Sequence, residues 1–311
     1  MKEQRIRAAW LYYVEGLTQQ ETAGQLGINR VQVNRLLADA RRRGEVQIRI
    51  ETAISSILQL EQDVQKTFGI PKVMIAPVAE GTKDPTKAIA ALAAQYISDT
   101  LHSGMTVGVG WGRTLHSTLP LIRGRQLTDV RVISLLGGIS QAKRFNPAEF
   151  AWRFAELFNG EGYLVPAPAL VDSPDTKHAL LERCGINQIF ELADDLDLAL
   201  LSAGGIDGVN TSYRIGHLTE EDRKSLVEAS AVGDILYNFI TQEGEPVEHE
   251  VNARGISAGL ERLQSAKERA LISGGPEKTK VLIGCVRKLA PTVFITDEAT
   301  AKAMLEVAQS V

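Results

Sequence analysis

The spacing of apolar residues changes character along the chain. In "IRAAWLYYVEG", Ile6, Ala9, Trp10, Tyr13 and Val14 recur at helical intervals, predicting a helix with one apolar face that Gly16 ends. The next stretch, "TQQETAGQLGINRVQVNRLLADARRRG", predicts two more helices. Thr18 caps the first, with Glu21 three residues on to complete a capping box. Ala23 and Leu26 point inward, Gly27 makes the turn, and Ile28 plugs it. Asn29 caps the second, with Val33, Leu36 and Leu37 inward. Small Ala23 lets two helices cross closely, and Gly27 permits a turn that a side chain would hinder. Alanine, glycine, valine and leucine at these intervals make the helix-turn-helix pattern. "EVQIRI" then alternates like a strand and predicts a small wing. "ISSILQLEQDVQKTFGI" sets Ile54, Ile57, Leu58, Glu61, Val64 and Phe68 near one face of an amphipathic helix, to pair with a second copy or to pack on its own body.

From Pro71 onward, short apolar runs alternate with helical patterns. "KVMIAP", "MTVGVG", "VRVISLL", "GYLVPAP", "LDLALLSAG", "GDILYNFI" and "TVFITD" read as strands. Residues 86–101, "NPAEFAWRFAELF", "TEEDRKSLVEA", "KVLIGCVRK" and "EATAKAMLEVA" read as helices. The alternation predicts an α/β fold: a Rossmann-like, doubly wound, mostly parallel sheet covered on both faces. The expected organisation is a helix-turn-helix domain at 1–51, a linker or oligomerisation helix at 52–69, and a ligand-binding domain at 70–311.

Charge sharpens this division. The 311 residues carry a net charge of −4. Residues 1–50 hold nine Lys and Arg against five Asp and Glu, while the remainder holds 25 against 33. A basic head on an acidic body can bind nucleic acid with the head alone. Cys184 and Cys285 lie far apart in apolar surroundings and are expected as buried thiols rather than a disulfide or metal pair. No signal peptide or membrane span is legible, and a cytoplasmic protein is expected.

On the head, the second helix of the pair presents Arg30, Gln32, Asn34 and Arg35 outward. Arg can read guanine, and Asn or Gln adenine, in the major groove. Thr18 and Gln19 are placed to hold phosphates, and Arg41, Arg42 and Arg43 add positive charge, which also favours a helix C-terminus. In the body, ligands of such sheets bind at the carboxyl ends of strands. Four glycine-rich strand ends occur there. "GVGWGRT" brings Gly110 and Gly112 with Arg113 and Thr114 at a helix start; it is not the dinucleotide fingerprint, whose third glycine is spaced differently. "LLGGIS", "SAGGID" with Gly205 and Asp207, and "SGGPEKTK" with Gly275 and Lys278 are the others. Together they point to a polar ligand, with Lys278 placed to neutralise phosphate and Asp234 and Asn238 to bind sugar hydroxyls. His217 reads as a surface histidine. No metal-ligand spacing or nucleophile elbow is present, so no cofactor, no metal site and no catalytic residue are expected.

Taken in order, "TQQETAGQLGINRVQVNRLLADARRRG", "VGVGWGRTL", "LLGGIS…NP", "SAGGI", "AVGDILYNF", "SGGPEKTK" and "FITDEATAKAML" resemble the SorC family of sugar-binding bacterial transcriptional regulators over nearly the whole chain. The resemblance implies an effector domain akin in fold to sugar-phosphate isomerases and glucosamine-phosphate deaminases. It also implies a phosphorylated sugar or polyol as effector, and a dimer or tetramer on operator DNA. Carried over by motif, the phosphate loop falls on Gly110, Trp111, Gly112, Arg113 and Thr114, a second loop on Gly137 and Gly138, the acidic contact on Asp234 and the phosphate lysine on Lys278. Leu136 is apolar where some members carry a polar or basic residue, which favours a monophosphate or a neutral sugar alcohol over a bisphosphate. The expected function is control of a carbohydrate or polyol operon. The alternative is a sugar-phosphate isomerase or deaminase with a DNA-binding appendage, using Asp207 or Asp234 as base.

Overall fold

The computed structural model describes residues 2–46, 55–79, 81–82, 84–139, 146–206 and 218–309. Most of the expected wing, together with Ser140, Asp207 and His217, lies outside the described residues. The chain divides into two compact units, the first built on Met1–Thr52 and the second on Ala53–Leu119 and Arg123–Val311.

The first unit contains α1 (Lys2–Tyr13), α2 (Gln19–Leu26) and α3 (Arg30–Arg42). The expected capping box at Thr18 forms, and Asn29 caps α3 with a second box completed by Gln32, which the sequence reading placed on the outward face. The Glu21 amide donates to Thr18 Oγ1 at 3.3 Å and the Thr18 amide to Glu21 Oε2 at 2.8 Å. The Gln32 amide donates to Asn29 Oδ1 at 2.8 Å and the Asn29 amide to Gln32 Oε1 at 3.0 Å. Gly27 ends α2 in the left-handed region at φ 64°, where a glycine is unstrained. Ala8, Ala9, Ala23, Val33, Leu37 and Ala40 make the core of the head.

The packed face of α1 differs from the one its largest apolar residues mark. Ile6, Trp10 and Val14 are exposed, and the buried residues are Arg5, Ala8 and Ala9. Two alanines allow α1 to approach α3 more closely than Ile6 or Trp10 would. Arg5 enters this interface because its guanidinium donates to both carboxylate oxygens of Glu45. A buried charge persists only when paired in this way.

In the second unit seven parallel strands form one sheet in the order β1 (Lys72–Ala76), β10 (Val293–Asp297), β9 (Glu268–Ile272), β5 (Leu198–Leu201), β2 (Thr106–Val109), β3 (Arg131–Ser134) and β4 (Glu161–Tyr163). Strands β2, β5 and β10 are buried at every residue, as expected of parallel strands covered on both faces. A second sheet is antiparallel: β6 (Ala203–Gly205), β7 (Gly233–Ile235) and β8 (Asn238–Ile240). No helix among the described residues is long and apolar enough to cross a membrane.

"GDILYNFI" is therefore two strands rather than one. The chain reverses at Leu236 and Tyr237, both left-handed at φ 53° and 59°. Such a turn prefers Gly or Asn, and each non-glycine residue in it costs about 1–2 kcal/mol. Complete burial of both side chains offsets that cost. The Tyr237 amide also donates to Asp234 Oδ2 at 3.0 Å. The end of β9 was marked by "SGGPEKTK", but the strand itself was not among the apolar runs, because Glu268 and Arg269 fill its first two positions and leave only Ala270, Leu271 and Ile272.

The amphipathic helix α4 (Ser55–Phe68) packs on its own body. Val64 is fully buried, and Ile57 and Phe68 pack against the main core. Glu61 Oε1 accepts the Ile75 amide at 2.8 Å, so α4 closes the open edge that β1 would present. Val64 is thus unavailable to a second copy. The cysteines differ from expectation too: Cys285 is buried, but Cys184 is exposed.

Two adjacent glycines test the packing at the end of β3. A Cβ on Gly137 would lie 2.5 Å from the Pro168 carbonyl oxygen and 2.6 Å from that of Ala167, whereas one on Gly138 would find only Asn146 Oδ1 at 3.8 Å. Backbone atoms cannot give way as a side-chain tip can. Gly137→Ala is expected to cost about 2–3 kcal/mol by overpacking and Gly138→Ala under about 1 kcal/mol. Urea denaturation of the two variants checks the difference.

Candidate functional site

The topology picks out one crevice. From β2 the chain moves on to β3, on one side, while from β5 it reaches β9 on the other. Neighbouring strands whose connections diverge in this way open a crevice beyond their carboxyl ends. β2 and β5 are that pair; the segment after β2 starts at Gly110 and runs into a helix at Arg113, and Ser202 leads from β5 into β6.

Gly110 ties the two strands together. Its amide donates to the Leu200 carbonyl at 2.8 Å, and a Cβ there would sit 3.1 Å from the same oxygen. Gly112 precedes α6 (Arg113–Thr118) at φ 126°, a conformation that essentially only glycine adopts. Trp111 is buried and stacks on Tyr237, with ring centroids 5.5 Å apart and planes 12° apart. The strained turn after β7 thus holds an aromatic plate against the glycine loop. Thr114 is buried. Arg113 stays partly exposed and its Nη1 lies 3.3 Å from Asp84 Oδ2.

Lys278 arrives from the loop after β9. It is half-buried, and its Nζ lies 3.5 Å from Ser273 Oγ. Among the described residues it makes no ion pair. Desolvation pushes its pKa below the ordinary lysine value, while the charges of Glu277, Asp234 and Asp84 oppose the shift and Arg113 adds to it. Arg113, Asp84, Asp234 and Lys278 therefore share one electrostatic neighbourhood. Gly205 touches it as well, since a Cβ there would meet Lys278 Cγ at 3.6 Å. Asp234 is buried at the second position of β7, opposite Gly204.

Four expected contact residues have polar groups engaged within the chain. Gly137 and Gly138 already spend their amides, on the carbonyls of Ile256 at 2.9 Å and Ala167 at 2.8 Å. Close backbone crossing explains the glycine at 137 without a ligand. Asn238 is half-buried rather than exposed: its Nδ2 donates to Ile235 O, Leu236 O and Ser257 Oγ and locks the hairpin. The Gly275 amide is held by Asp297 Oδ2 at 3.0 Å and Thr300 Oγ1 at 2.7 Å, so Gly275 shapes the loop that carries Lys278 rather than offering a donor. Asp84, Ser202, Ser273 and Tyr237 were not singled out in the sequence. Asp84 lies 29 residues from Arg113, and only the folded sheet brings the two together, whereas Ser273 opens the same loop that carries Lys278.

On the head, α3 exposes Arg30, Val31, Gln32, Asn34 and Arg35. Arg30 Nε donates to Gln19 Oε1 at 3.2 Å, which links α2 to α3 and fixes the start of the exposed face. Gln32 and Thr18 use their side chains in the capping boxes, so Gln32 does not present both ends of its amide as bidentate adenine contact requires. Val31, 77% exposed, was missed; an apolar residue at this point of the helix can meet a thymine methyl. Arg41 and Arg42 are exposed, with Arg42 paired to Asp39.

Comparison with known proteins extends these observations. Residues 52–306 match the family model Sugar-bind, described as "Putative sugar-binding domain". The chain is similar to the Deoxyribonucleoside regulator of Bacillus subtilis, 30% identical over 303 residues and 96% of each protein. It is 27% identical to the Erythritol catabolism regulatory protein EryD of Brucella abortus, over 96% of this chain and 95% of that protein. Among solved structures, the full-length Sorbitol Operon Regulator SorC of Klebsiella pneumoniae superposes with a TM-score of 0.73 at 26% identity, covering 98% of this chain and 100% of that one.

Proposed function

The chain belongs to the SorC-type family of sugar-binding transcriptional regulators, and from that premise we propose that it controls a carbohydrate or polyol operon, its head binding operator DNA and its body a sugar monophosphate. Relatives named for deoxyribonucleosides, erythritol and sorbitol support the class of effector. The observation that carries the phosphate is Lys278, half-buried and without an ion pair among the described residues, in the same neighbourhood as Arg113. α6 is only 6 residues long, so its dipole adds little and the two side-chain cations do most of the work. Asp234 is the residue for a sugar hydroxyl. Arg30, Asn34 and Arg35, with Val31, read the major groove. One head covers a half-site, so two copies are expected on a near-palindrome.

A thermal-shift screen of paired sugars and sugar monophosphates tests this assignment. A ligand present at about a hundred times its Kd adds about 2.7 kcal/mol of stability. One monophosphate is expected to raise the melting temperature while its neutral parent sugar raises it far less. A neutral polyol that stabilises equally well would remove the phosphate from the assignment.

A further inference from the structure

Arg113, the cation beside the glycine loop, already faces a carboxylate of its own chain. Its Nη1 lies 3.3 Å from Asp84 Oδ2. Asp84 stands just before α5 (Thr86–Thr100), on the connection from β1 to β2, and its Oδ1 accepts the Thr86 amide at 3.1 Å. One oxygen is therefore fastened to α5 and the other turned to the guanidinium. Hydrogen bonds from Thr86 hold the Asp84 carboxyl below its usual value despite some desolvation, and Arg113 adds to the effect. The group is charged throughout the physiological range. The pair is open to water, with side-chain exposures of 34% for Arg113 and 56% for Asp84. An anion seated between Arg113 and Lys278 must deal with Asp84.

We propose that Asp84 is a resident counterion for Arg113, which the anionic group of the effector displaces on binding. The inference rests on the reading that this crevice takes an anionic sugar. A phosphate gains two parallel hydrogen bonds from the guanidinium, but it forfeits the existing pair and brings negative charge close to the displaced carboxylate. Because the pair is solvated, Asp84 weakens anion binding by a factor rather than blocking it. Its role is to set the affinity threshold, so that Arg113 does not hold background anions.

Asp84→Asn removes the charge and retains an oxygen to accept the Thr86 amide, since asparagine serves as well as aspartate at helix starts. The test is a titration with inorganic phosphate at pH 7.5, followed through the NMR amide shifts of Gly112 and Arg113. Asp84→Asn is expected to bind phosphate about fivefold more tightly than the unaltered chain, with the gain shrinking as salt is raised. Arg113→Ala is expected to bind more weakly than either. Damage to the loop would weaken binding, so the sign of the change separates a counterion from a merely structural residue. Phosphate binding no tighter in Asp84→Asn, with clear loss in Arg113→Ala, overturns the counterion role and leaves the anion site standing. Equal phosphate affinity in all three proteins overturns both.

Discussion

A chain carrying Lys278→Ala is expected to bind its operator as the unaltered protein does and to lose at least tenfold in effector affinity. The ammonium group approaches from the β9 loop, half-buried, with Ser273 Oγ at 3.5 Å as its hydrogen-bond partner. Losing one charge-assisted hydrogen bond costs about 1.5–3 kcal/mol. The loss lands on the effector because Lys278 lies in the body, whereas the residues proposed to read DNA lie on α3. Calorimetric titration with the monophosphate, beside operator binding without it, separates the two effects. The pH dependence has a definite sign. Burial lowers the Lys278 pKa, so its charge is lost at a lower pH than that of an exposed lysine. Effector affinity should therefore fall as pH rises through that lowered value, and the alkaline fall should be absent in Lys278→Ala. An unchanged effector affinity would place the phosphate elsewhere.

Replacing Arg30 and Arg35 together by alanine is expected to lower operator affinity by about 2–6 kcal/mol at fixed salt, one to three for each base or key phosphate contact. Both are exposed on α3, and the capping box at Asn29 and Gln32 fixes where that helix begins. The substitutions leave Val33 and Leu37 buried beneath them, so the head should melt as before. Mobility shift across a salt series is the measurement. If the arginines meet phosphates, the salt dependence flattens by about one unit of slope each; if they read guanines, specificity relaxes at two positions. Undiminished affinity in the double variant would remove α3 from the groove.

Much of the head was legible because its determinants are local. Caps, turn glycine and inward residues lie within about twenty-five positions of one another. The wrong face of α1 is instructive in the same terms. Hydrophobic size marked Ile6 and Trp10, whereas close helix crossing selected Ala8 and Ala9, and Arg5 could be buried only because Glu45, forty residues on, meets it. In the body, the alternation of strands and helices gave the parallel sheet, but the strand order that makes β2 and β5 neighbours is set by long-range packing. Glycines did not declare their purpose. Gly112 meets a backbone demand at the site, Gly137 an intersection of chains, and Gly275 a loop fastened by Asp297. Asp84 was invisible as a site residue, since nothing near it in sequence refers to Arg113.

For the proposed role, a sugar anion in the body must be coupled to DNA on the head. Coupling requires the effector to bind the DNA-competent and DNA-incompetent states with different affinity, and linkage makes the effect reciprocal. The most direct measurement is operator affinity of the full chain with and without saturating sugar monophosphate, together with effector affinity with and without operator. Both affinities are expected to shift by the same factor, about fivefold or more, with the sugar phosphate recovered unchanged. Operator affinity indifferent to a ligand that demonstrably binds, or steady conversion of that ligand to product, would rule out this coupling.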